Sequence, residues 1–395
     1  MHVYFYISNG ESFLYPDGFR GIPQDAPAAA KGWKTRVKKR WLYGLIAVTL
    51  LSAGAHYLSE NELIRFACSG LSLLLWAALM GKATENVAHY AGERLGGFLN
   101  ATFGNAAELI IAVFLVKEGL FDMVKASITG SIIGNMLLVL GLSLLFGGLR
   151  YKTQSFNPML AGHNASLMLL SVIALFIPAA FLNELESGEI QLLSLIIAGV
   201  LILCYFLWLL FSLGTHRKEL GDSLDGLPDS GEGDPPRKEA SPDWSPGVSL
   251  FLLILSTALV AIQSEWLVGS VEGVAHALGW SDLFIGAFVI AVIGNAAEHS
   301  AAVFLAMKNR IGAAVEIAIG SSLQVALFVS PALIFISLLF GKPMDLVFTG
   351  YELAAVAVAA FIAKSISRDG STNWYEGVLL LSVYVILGTA FFAVD

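Results

Sequence analysis

Runs of about 20 apolar residues recur along this chain, and this feature limits the possible folds more than any other. A helix of that length matches the thickness of the hydrocarbon core of a bilayer. Hydrophobic residues make up 56% of the sequence and charged residues only 14%. We therefore predict an all-α polytopic membrane protein with about eleven transmembrane helices. The predicted spans are residues 42–58, 63–88, 97–116, 126–147, 159–182, 189–213, 248–267, 283–307, 312–340, 345–364 and 375–394.

The lysines and arginines near the span ends indicate how the chain is oriented in the membrane. If the N-terminus is cytoplasmic, most of them lie on the inner side, and only Arg65, Lys117, Lys125 and Lys342 lie on the outer side. Cytoplasmic loops of membrane proteins carry an excess of these residues. We therefore predict a cytoplasmic N-terminus and a C-terminus on the opposite side.

One motif occurs twice. The stretch "ATFGNAAELIIAVFL", which begins at Ala101, has a near copy in "AVIGNAAEHSAAVFL", which begins at Ala291. Further identities follow at the same offset, so a whole unit is duplicated rather than one helix. Each unit contains five predicted spans, and an odd number places the second copy upside down in the bilayer. Such inverted repeats are typical of secondary transporters, whose substrate sites lie near the midplane between the repeats.

These observations predict the domain organisation. No cleavable signal peptide is visible near the N-terminus. The break between the two repeats is rich in Gly, Pro, Asp and Ser, which is typical of a flexible solvated linker. The basic "KGWKTRVKKRW" beside the first span is interpreted as a topology determinant at anionic lipid rather than a nucleic-acid site. The predicted parts are a cytoplasmic N-terminal tail (1–41), an extra first helix (42–58), the first repeat (59–214), a cytoplasmic linker (215–247) and the second repeat (248–395).

Two glutamates, Glu108 and Glu298, lie near the centres of equivalent spans. Ionisable residues at that depth are costly and by default functional. Carboxylate oxygens are ligands that hard divalent cations prefer, while burial and mutual repulsion favour protonation once the cation has left. Cation and protons would therefore compete for one coupled pair, as in an exchanger. The alternative is a protonated glutamate in a hydrogen bond between helices.

Several neutral residues accompany the two glutamates. Asn105 and Asn295 each lie three residues before a glutamate and share its helix face, where the amide either coordinates a cation or bonds another helix. Gly104 and Gly294 permit close helix approach or a locally opened helix. His299 is either linked to proton transfer or a structural histidine. Further neutral oxygen donors, which equally suit helix packing, are Ser131, Asn135, Ser321 and Gln324.

The remaining chemistry-bearing residues carry less information. Glu85, Glu272, Glu316 and Glu352 lie nearer span ends and are candidates for entry paths or gates, although ordinary interfacial positions are favoured. Cys68 and Cys204 fall in apolar runs and are interpreted as small buried hydrophobes. Neither a Walker A sequence nor an HExxH motif is present, so we predict neither ATP hydrolysis nor zinc-protease chemistry, and no enzymatic activity.

At "GNAAE", "GNAAEH", "GSIIGN" and "GSSLQVALFV", the chain resembles the cation/proton exchanger family of the Ca2+/cation antiporter superfamily over residues 60–394. The resemblance implies a Ca2+/H+ antiporter that removes Ca2+ from the cytosol, with Glu108 and Glu298 as the transport carboxylates. It also implies that Asn105, Asn295, Ser321 and Gln324 line the site. Gly134 stands where the family usually has a serine, which weakens a ligand role there. Asparagine at 105 and 295 favours protons over sodium.

The expected partners follow from the same resemblance. Ca2+ and protons are substrates, no resident cofactor is expected, and membrane lipid rather than nucleic acid surrounds the chain. The membrane is the plasma or inner membrane in a prokaryote and the vacuolar membrane in a eukaryote. The oligomeric state is not indicated. The alternatives are a Na+/Ca2+ or Mn2+/H+ exchanger and, from another class, a cation channel.

Overall fold

The computed structural model describes residues 5–8, 11–14, 28–156, 158–215, 242–366 and 368–394, apart from the side chains of 28–40, 93–94, 101 and 159–160. Residues 216–241 of the predicted linker lie outside these ranges. The chain divides into two units, Met1–Ala47 and Val48–Asp395. The first unit contains an antiparallel hairpin of β1 (Phe5–Ser8) and β2 (Glu11–Leu14) and the beginning of helix α1 (Ala28–Leu58). Helix α1 begins before residue 42 because the basic stretch is helical as well.

The second unit is a helical bundle, as predicted for an all-α membrane protein. Its only described strands are β3 (Thr153–Ser155) and β4 (Ser371–Asn373), which pair antiparallel. Its helices after α1 are α2 (Glu62–Phe103), α3 (Ala106–Glu118), α4 (Phe121–Tyr151), α5 (Pro158–Ala180), α6 (Ser187–Thr215), α7 (Pro246–Leu278), α8 (Asp282–Ala306), α9 (Ile311–Leu339), α10 (Gly350–Ile366) and α11 (Trp374–Phe392).

Nine helical segments among the described residues are long and apolar enough to cross a membrane. The two other predicted spans are also helical, but they fall short. The span predicted at 97–116 is interrupted by a turn between α2 and α3, and α10 has only 17 residues. Helix α2 changes direction at Gly92, whose φ of 79° lies in the left-handed region that favours glycine. The total of eleven spans therefore stays a prediction.

The contacts at the helix ends place the two repeats in opposite orientations. Helix α4 begins directly after the end of α3. Beyond the other end of α4, Gln154 Nε2 donates to the carbonyl oxygen of Ala306, at the end of α8, over 3.0 Å. Lys342 Nζ, beyond the end of α9, likewise donates to the carbonyl oxygen of Lys117, over 2.7 Å. Because α3 and α8 end at opposite ends of α4, these equivalent helices run in opposite directions.

Helices α4 and α9 correspond in the two repeats and share an unusual feature. Each contains a π-helical turn at nearly the same place, Gly134–Val139 in α4 and Val325–Val329 in α9. Such turns widen a helix locally and are frequent at functional sites. Both turns follow the segments that hold the predicted serine donors, near the centre of the bundle. Other π-helical turns, Phe211–Thr215 of α6 and Ile285–Ile290 of α8, lie at or near helix ends.

The two repeats are packed differently on either side of that centre. Gly130 of α4 is pressed on α8, where a Cβ atom would lie 2.5 Å from the Ala287 carbonyl carbon. Its counterpart in α9, Gly320, has no atom within 4 Å of a Cβ. We call the contact of residues 123–130 with residues 286–287 the closed seam. We call the equivalent gap between residues 313–320 of α9 and residues 95–100 of α2 the open seam.

The exposure of equivalent side chains agrees with this difference. Leu95 is 63% exposed beside the open seam, whereas its counterpart Ile285 is fully buried beside the closed seam. With the predicted cytoplasmic N-terminus, the open seam lies toward the cytosol. The bundle therefore has one packed and one unpacked approach to its centre.

Candidate cation site

The two glutamates meet at the junction of the repeats. Glu108 lies in the first turn of α3 and Glu298 lies within α8. Each is seated on the glycine of the other copy. A Cβ at Gly104 would lie 3.0 Å from Glu298 Oε1, and a Cβ at Gly294 would lie 3.5 Å from Glu108 Cβ. The structure therefore brings together the two carboxylates that the duplication predicts as a pair.

The Glu108 carboxylate is buried, with a residue exposure of 5%. Ser131, Asn295 and the Glu298 carboxylate are its polar neighbours. Among the described residues, however, neither Glu108 oxygen accepts a hydrogen bond of acceptable geometry. A buried ionised carboxylate without partners is costly, so these oxygens favour a cation or a proton.

The Glu298 carboxylate has a different environment. It is partly exposed and accepts a hydrogen bond from Ser321 Oγ on α9. Ser321 belongs to the helix that forms one wall of the open seam. Glu298 is therefore the more accessible member of the pair, and Glu108 is the more enclosed one.

The amides of the two copies form hydrogen bonds across the repeats. Asn105 Nδ2 donates to Gln324 Oε1 over 2.6 Å, and Asn295 Nδ2 donates to Ser131 Oγ over 2.9 Å. The partners differ because Gly134 occupies the position equivalent to Gln324. Asn105 Oδ1 is buried and has no hydrogen-bond partner in the described part of the chain. The amide hydrogens thus tie the helices together, while this oxygen is free to coordinate a cation.

Two further candidates contact each other. His299 Nε2 lies 3.2 Å from Asn135 Oδ1 and donates to this amide oxygen in the tautomer that carries its proton on Nε2. This contact accounts for the amide oxygen of Asn135 and one nitrogen of His299. It supports the structural interpretation of His299. A role of His299 in proton transfer stays a prediction.

The second group of glutamates is dispersed. Glu85 and Glu272 are exposed, as expected for interfacial residues. Glu352 differs from that expectation because it is only 2% exposed and accepts hydrogen bonds from Thr349 N and Oγ1 over 2.8 and 2.7 Å. Glu316 is partly exposed on the wall of the open seam. None of the four contacts the paired glutamates among the described hydrogen bonds.

The turn at Gly104 and Asn105 is the locally opened helix that was one of the two alternatives for the paired glycines, and it occurs in the first copy only. Helix α2 ends at Phe103, and Asn105 precedes the first residue of α3. Glu108 consequently lies at a helix N-terminus, where the backbone dipoles stabilise a negative charge. In the second copy, the same residues Gly-Asn-Ala-Ala-Glu form a continuous helix through Gly294 and Asn295. Since the local sequences are identical there, the break reflects tertiary packing.

The glycine contacts make a matched prediction. Replacing Gly104 by alanine should weaken Ca2+ binding about tenfold, equivalent to about 1.4 kcal/mol, because the new methyl group would lie 2.9 Å from the Asn100 carbonyl oxygen and 3.0 Å from Glu298 Oε1 and would displace this carboxylate. Gly294→Ala is the control, since its methyl group would meet Glu108 at ordinary van der Waals distance. Isothermal titration of the two purified variants would compare the affinities. Equal losses in both variants would contradict the assigned contacts.

An inverted-repeat helical bundle with a buried carboxylate pair and neutral oxygen donors at the repeat junction defines a secondary transporter of cations. More particularly, the chain belongs to the family described as sodium/calcium exchanger protein. The model of that family matches residues 61–214 and 248–393. The unmatched stretch between them coincides with the predicted linker. The family membership predicted from the paired motifs is thereby confirmed.

Individual relatives match over most of their length. The chain is 46% identical over 362 residues to a Ca(2+)/H(+) antiporter of Synechocystis, covering 88% of this chain and 96% of the relative. It is 44% identical over 330 residues to the Ca(2+)/H(+) antiporter ChaA of Bacillus subtilis, covering 83% and 92%. The solved structure of native YfkE is similar with a TM-score of 0.77 at 39% identity, covering 90% of this chain and all of that chain.

Proposed function

We propose that this protein is a Ca2+/H+ antiporter that moves Ca2+ out of the cytosol in exchange for protons. The relatives named as Ca(2+)/H(+) antiporters support the substrates. The single observation that carries the mechanism is the crossed seating of the carboxylates, Glu108 on Gly294 and Glu298 on Gly104. Any movement of one repeat against the other changes the surroundings of both carboxylates together.

The proposed site holds either one Ca2+ or protons. Ca2+ prefers six to eight oxygen ligands. Glu108 and Glu298 supply the charged ones, and the Asn105 oxygen supplies a neutral one. Ser131, Ser321, Asn295, Gln324, backbone carbonyls and water complete the proposed set. When Ca2+ leaves, protonation of the pair removes the cost of two adjacent buried charges, so up to about two protons replace one Ca2+.

Alternating access follows from the two seams. In the state described here, the closed seam blocks one approach to the carboxylates and the open seam leaves the other approach unpacked. Exchanging the packing of the two seams would turn the site toward the opposite side, which is the usual motion of inverted repeats. With the predicted orientation, the present state receives Ca2+ from the cytosol.

The competition between Ca2+ and protons can be tested without a transport assay. In weakly buffered detergent solution, Ca2+ added to the purified protein should release up to about two protons per Ca2+ bound, because cation and protons share the same oxygens. A pH indicator and a Ca2+ titration together measure the ratio. Glu108→Gln or Glu298→Gln should lower the ratio, whereas Glu272→Gln, at an exposed position, should not. Ca2+ binding without proton release would contradict the proposal.

One alternative, exchange of Ca2+ for sodium, is favoured by a specific observation. The family model that matches this chain is described as sodium/calcium exchanger protein. The two alternatives differ in the ion whose gradient drives Ca2+ movement. A sodium gradient and a proton gradient, imposed separately on the same vesicles, distinguish them.

A further inference from the structure

Helix α9 forms one wall of the open seam and carries a single charged residue, Glu316. Glu316 lies four residues before Gly320 and therefore on the same face of the helix. In the alignment of the two repeats, its counterpart in α4 is Ala126. Ala126 belongs to the closed seam, because its Cβ atom lies 2.6 Å from the position that a Cβ of Gly286 would occupy. Glu316 thus occupies, on the open side, a position that is tightly packed on the closed side.

The closed seam has room for small residues only at this position. Gly286 also approaches the backbone of α4, with a would-be Cβ 2.8 Å from the carbonyl oxygen of Met123. On the open side, the equivalent glycines pack elsewhere. A Cβ at Gly97 would lie 2.9 Å from Leu213 Cδ2, and one at Gly96 would lie 3.0 Å from the Ala88 carbonyl carbon. The segment that would cover Glu316 is therefore turned away from it.

Glu316 is consequently partly exposed in this state. Within the described residues it forms no hydrogen bond or ion pair. If the open seam closed as the other seam does, the backbone at Gly96 and Gly97 would exclude water from this carboxylate. Burying an unpaired carboxylate is costly, whereas burying its protonated form costs far less.

We propose that Glu316 is a gating residue, and that the open seam closes only when the Glu316 carboxylate carries a proton. The proposal rests on the alternating access and orientation argued above. The proton is taken from the cytosolic side and returned to it, since the seam that covers Glu316 opens only toward that side. It therefore controls the rate of exchange without adding to the number of protons transported.

The charged groups around Glu316 decide whether its carboxylate must carry a proton when it is buried. On the elements that pack around α9, the charged or histidine residues toward the cytosolic end are Arg150 of α4 and His163 of α5. Those at the site are Glu108 of α3 and Glu298 and His299 of α8. The others lie near the opposite end of the bundle: Lys117, Glu118, Asp122, Lys125, Glu189 and Asp282. Arg310 precedes α9, and Glu93 and Arg94 directly precede residues 95–100 of the open seam in the sequence. Glu298 is engaged by Ser321 and His299 by Asn135. An arginine that pairs with Glu316 on closure, such as Arg94 or Arg310, would replace the proton, and the experiment separates the two cases.

The test measures how easily Leu95 is reached from the cytosolic side. Leu95→Cys, in a protein that also carries Cys68→Ser and Cys204→Ser, is labelled with a membrane-impermeant thiol reagent at several cytosolic pH values. Lys364→Cys, exposed at the end of α10, serves as the reference for the reagent's own pH dependence. Relative labelling should rise with pH, by up to about tenfold per pH unit, because deprotonated Glu316 keeps the seam open.

Substitutions at 316 then assign this response. Glu316→Gln and Glu316→Ala should both give slow labelling that no longer depends on pH, since the seam closes without a proton. Glu316→Asp should keep the pH dependence, and agreement between the glutamine and alanine variants excludes a packing effect. Ca2+ uptake should persist in the glutamine variant because the paired glutamates are intact.

Three results would overturn the proposal. An unchanged pH response in Glu316→Gln would remove Glu316 from gating while leaving the antiport mechanism in place. Faster labelling of Glu316→Gln than of its parent would assign closure to an ion pair of Glu316 with an arginine such as Arg94. No labelling of Leu95→Cys from the cytosolic side at any pH would overturn the proposed orientation and access, and this inference with them.

Discussion

Replacing either Glu108 or Glu298 by glutamine should abolish Ca2+ uptake driven by a pH gradient, with a loss of about a hundredfold or more. Removing one partner from a buried charged site costs about 3–5 kcal/mol, and the variant also loses a carboxylate that exchanges Ca2+ for protons. The measurement is uptake of radioactive Ca2+ into inside-out vesicles with an acidic interior. A protonophore should abolish uptake in the unmodified protein as well.

Three comparisons control this experiment. Glu272→Gln removes a carboxylate from an exposed position of α7 and should leave uptake unchanged. A sodium gradient in place of the pH gradient should not drive uptake, and saturation with Ca2+ distinguishes an exchanger from a channel. Full uptake in either glutamine variant at 108 or 298 would remove the carboxylate pair from the mechanism. Uptake driven by sodium would instead favour the Na+/Ca2+ alternative.

The second large effect is expected at the closed seam. Gly130→Ala should reduce transport at least about tenfold, because its methyl group would overlap the backbone of Ala287 whenever this seam is closed. Overpacking of this kind costs about 1–3 kcal/mol or more, so the substitution favours the state in which the seam is open. Thiol labelling of Ile285→Cys, whose side chain is buried at present, should increase in this variant.

Gly320→Ala is the matched substitution in the other repeat. It has no atom within 4 Å of the new methyl group, so the present state should tolerate it. If the two seams close by equivalent contacts, transport should fall here too, while Ile285→Cys stays protected and Leu95→Cys stays reactive. Normal transport in Gly320→Ala would mean that the open seam closes by a different contact. Thermal unfolding of both variants separates these effects from misfolding.

The spans were predictable because the apolar runs directly reflect the thickness of the bilayer. Every predicted span is largely helical, although the one at 97–116 is divided between α2 and α3 and the one at 345–364 begins before α10. The inverted arrangement followed from an odd number of spans in a duplicated unit. A local opening at Gly104 or Gly294 was one of two alternatives, but the copy in which it occurs was not predictable. The residues of the first copy recur at Gly294 and Asn295, where α8 continues, so only the surrounding packing distinguishes the two copies.

The same distinction applies to the site. The carboxylate pair could be proposed because Glu108 and Glu298 occupy equivalent positions, and their meeting at the junction follows from the inverted symmetry. The crossed hydrogen bonds of Asn105 and Asn295 could not be assigned, since pairing between positions in different repeats depends on the tertiary fold. The burial of Glu352 was also missed. Its hydrogen bonds with Thr349 are local in the sequence, but the helices that bury it are distant in the sequence.

The crossed seating of the carboxylates has a consequence for the origin of the chain. Because Glu108 rests on Gly294 and Glu298 on Gly104, each half contributes the floor of the other half's site. In a single half, the carboxylate would lack the contact with the glycine of the other half, and the carboxylate pair could not form. An ancestor of half this length would have needed a second copy of itself, inserted the opposite way up, before the two were joined in one gene.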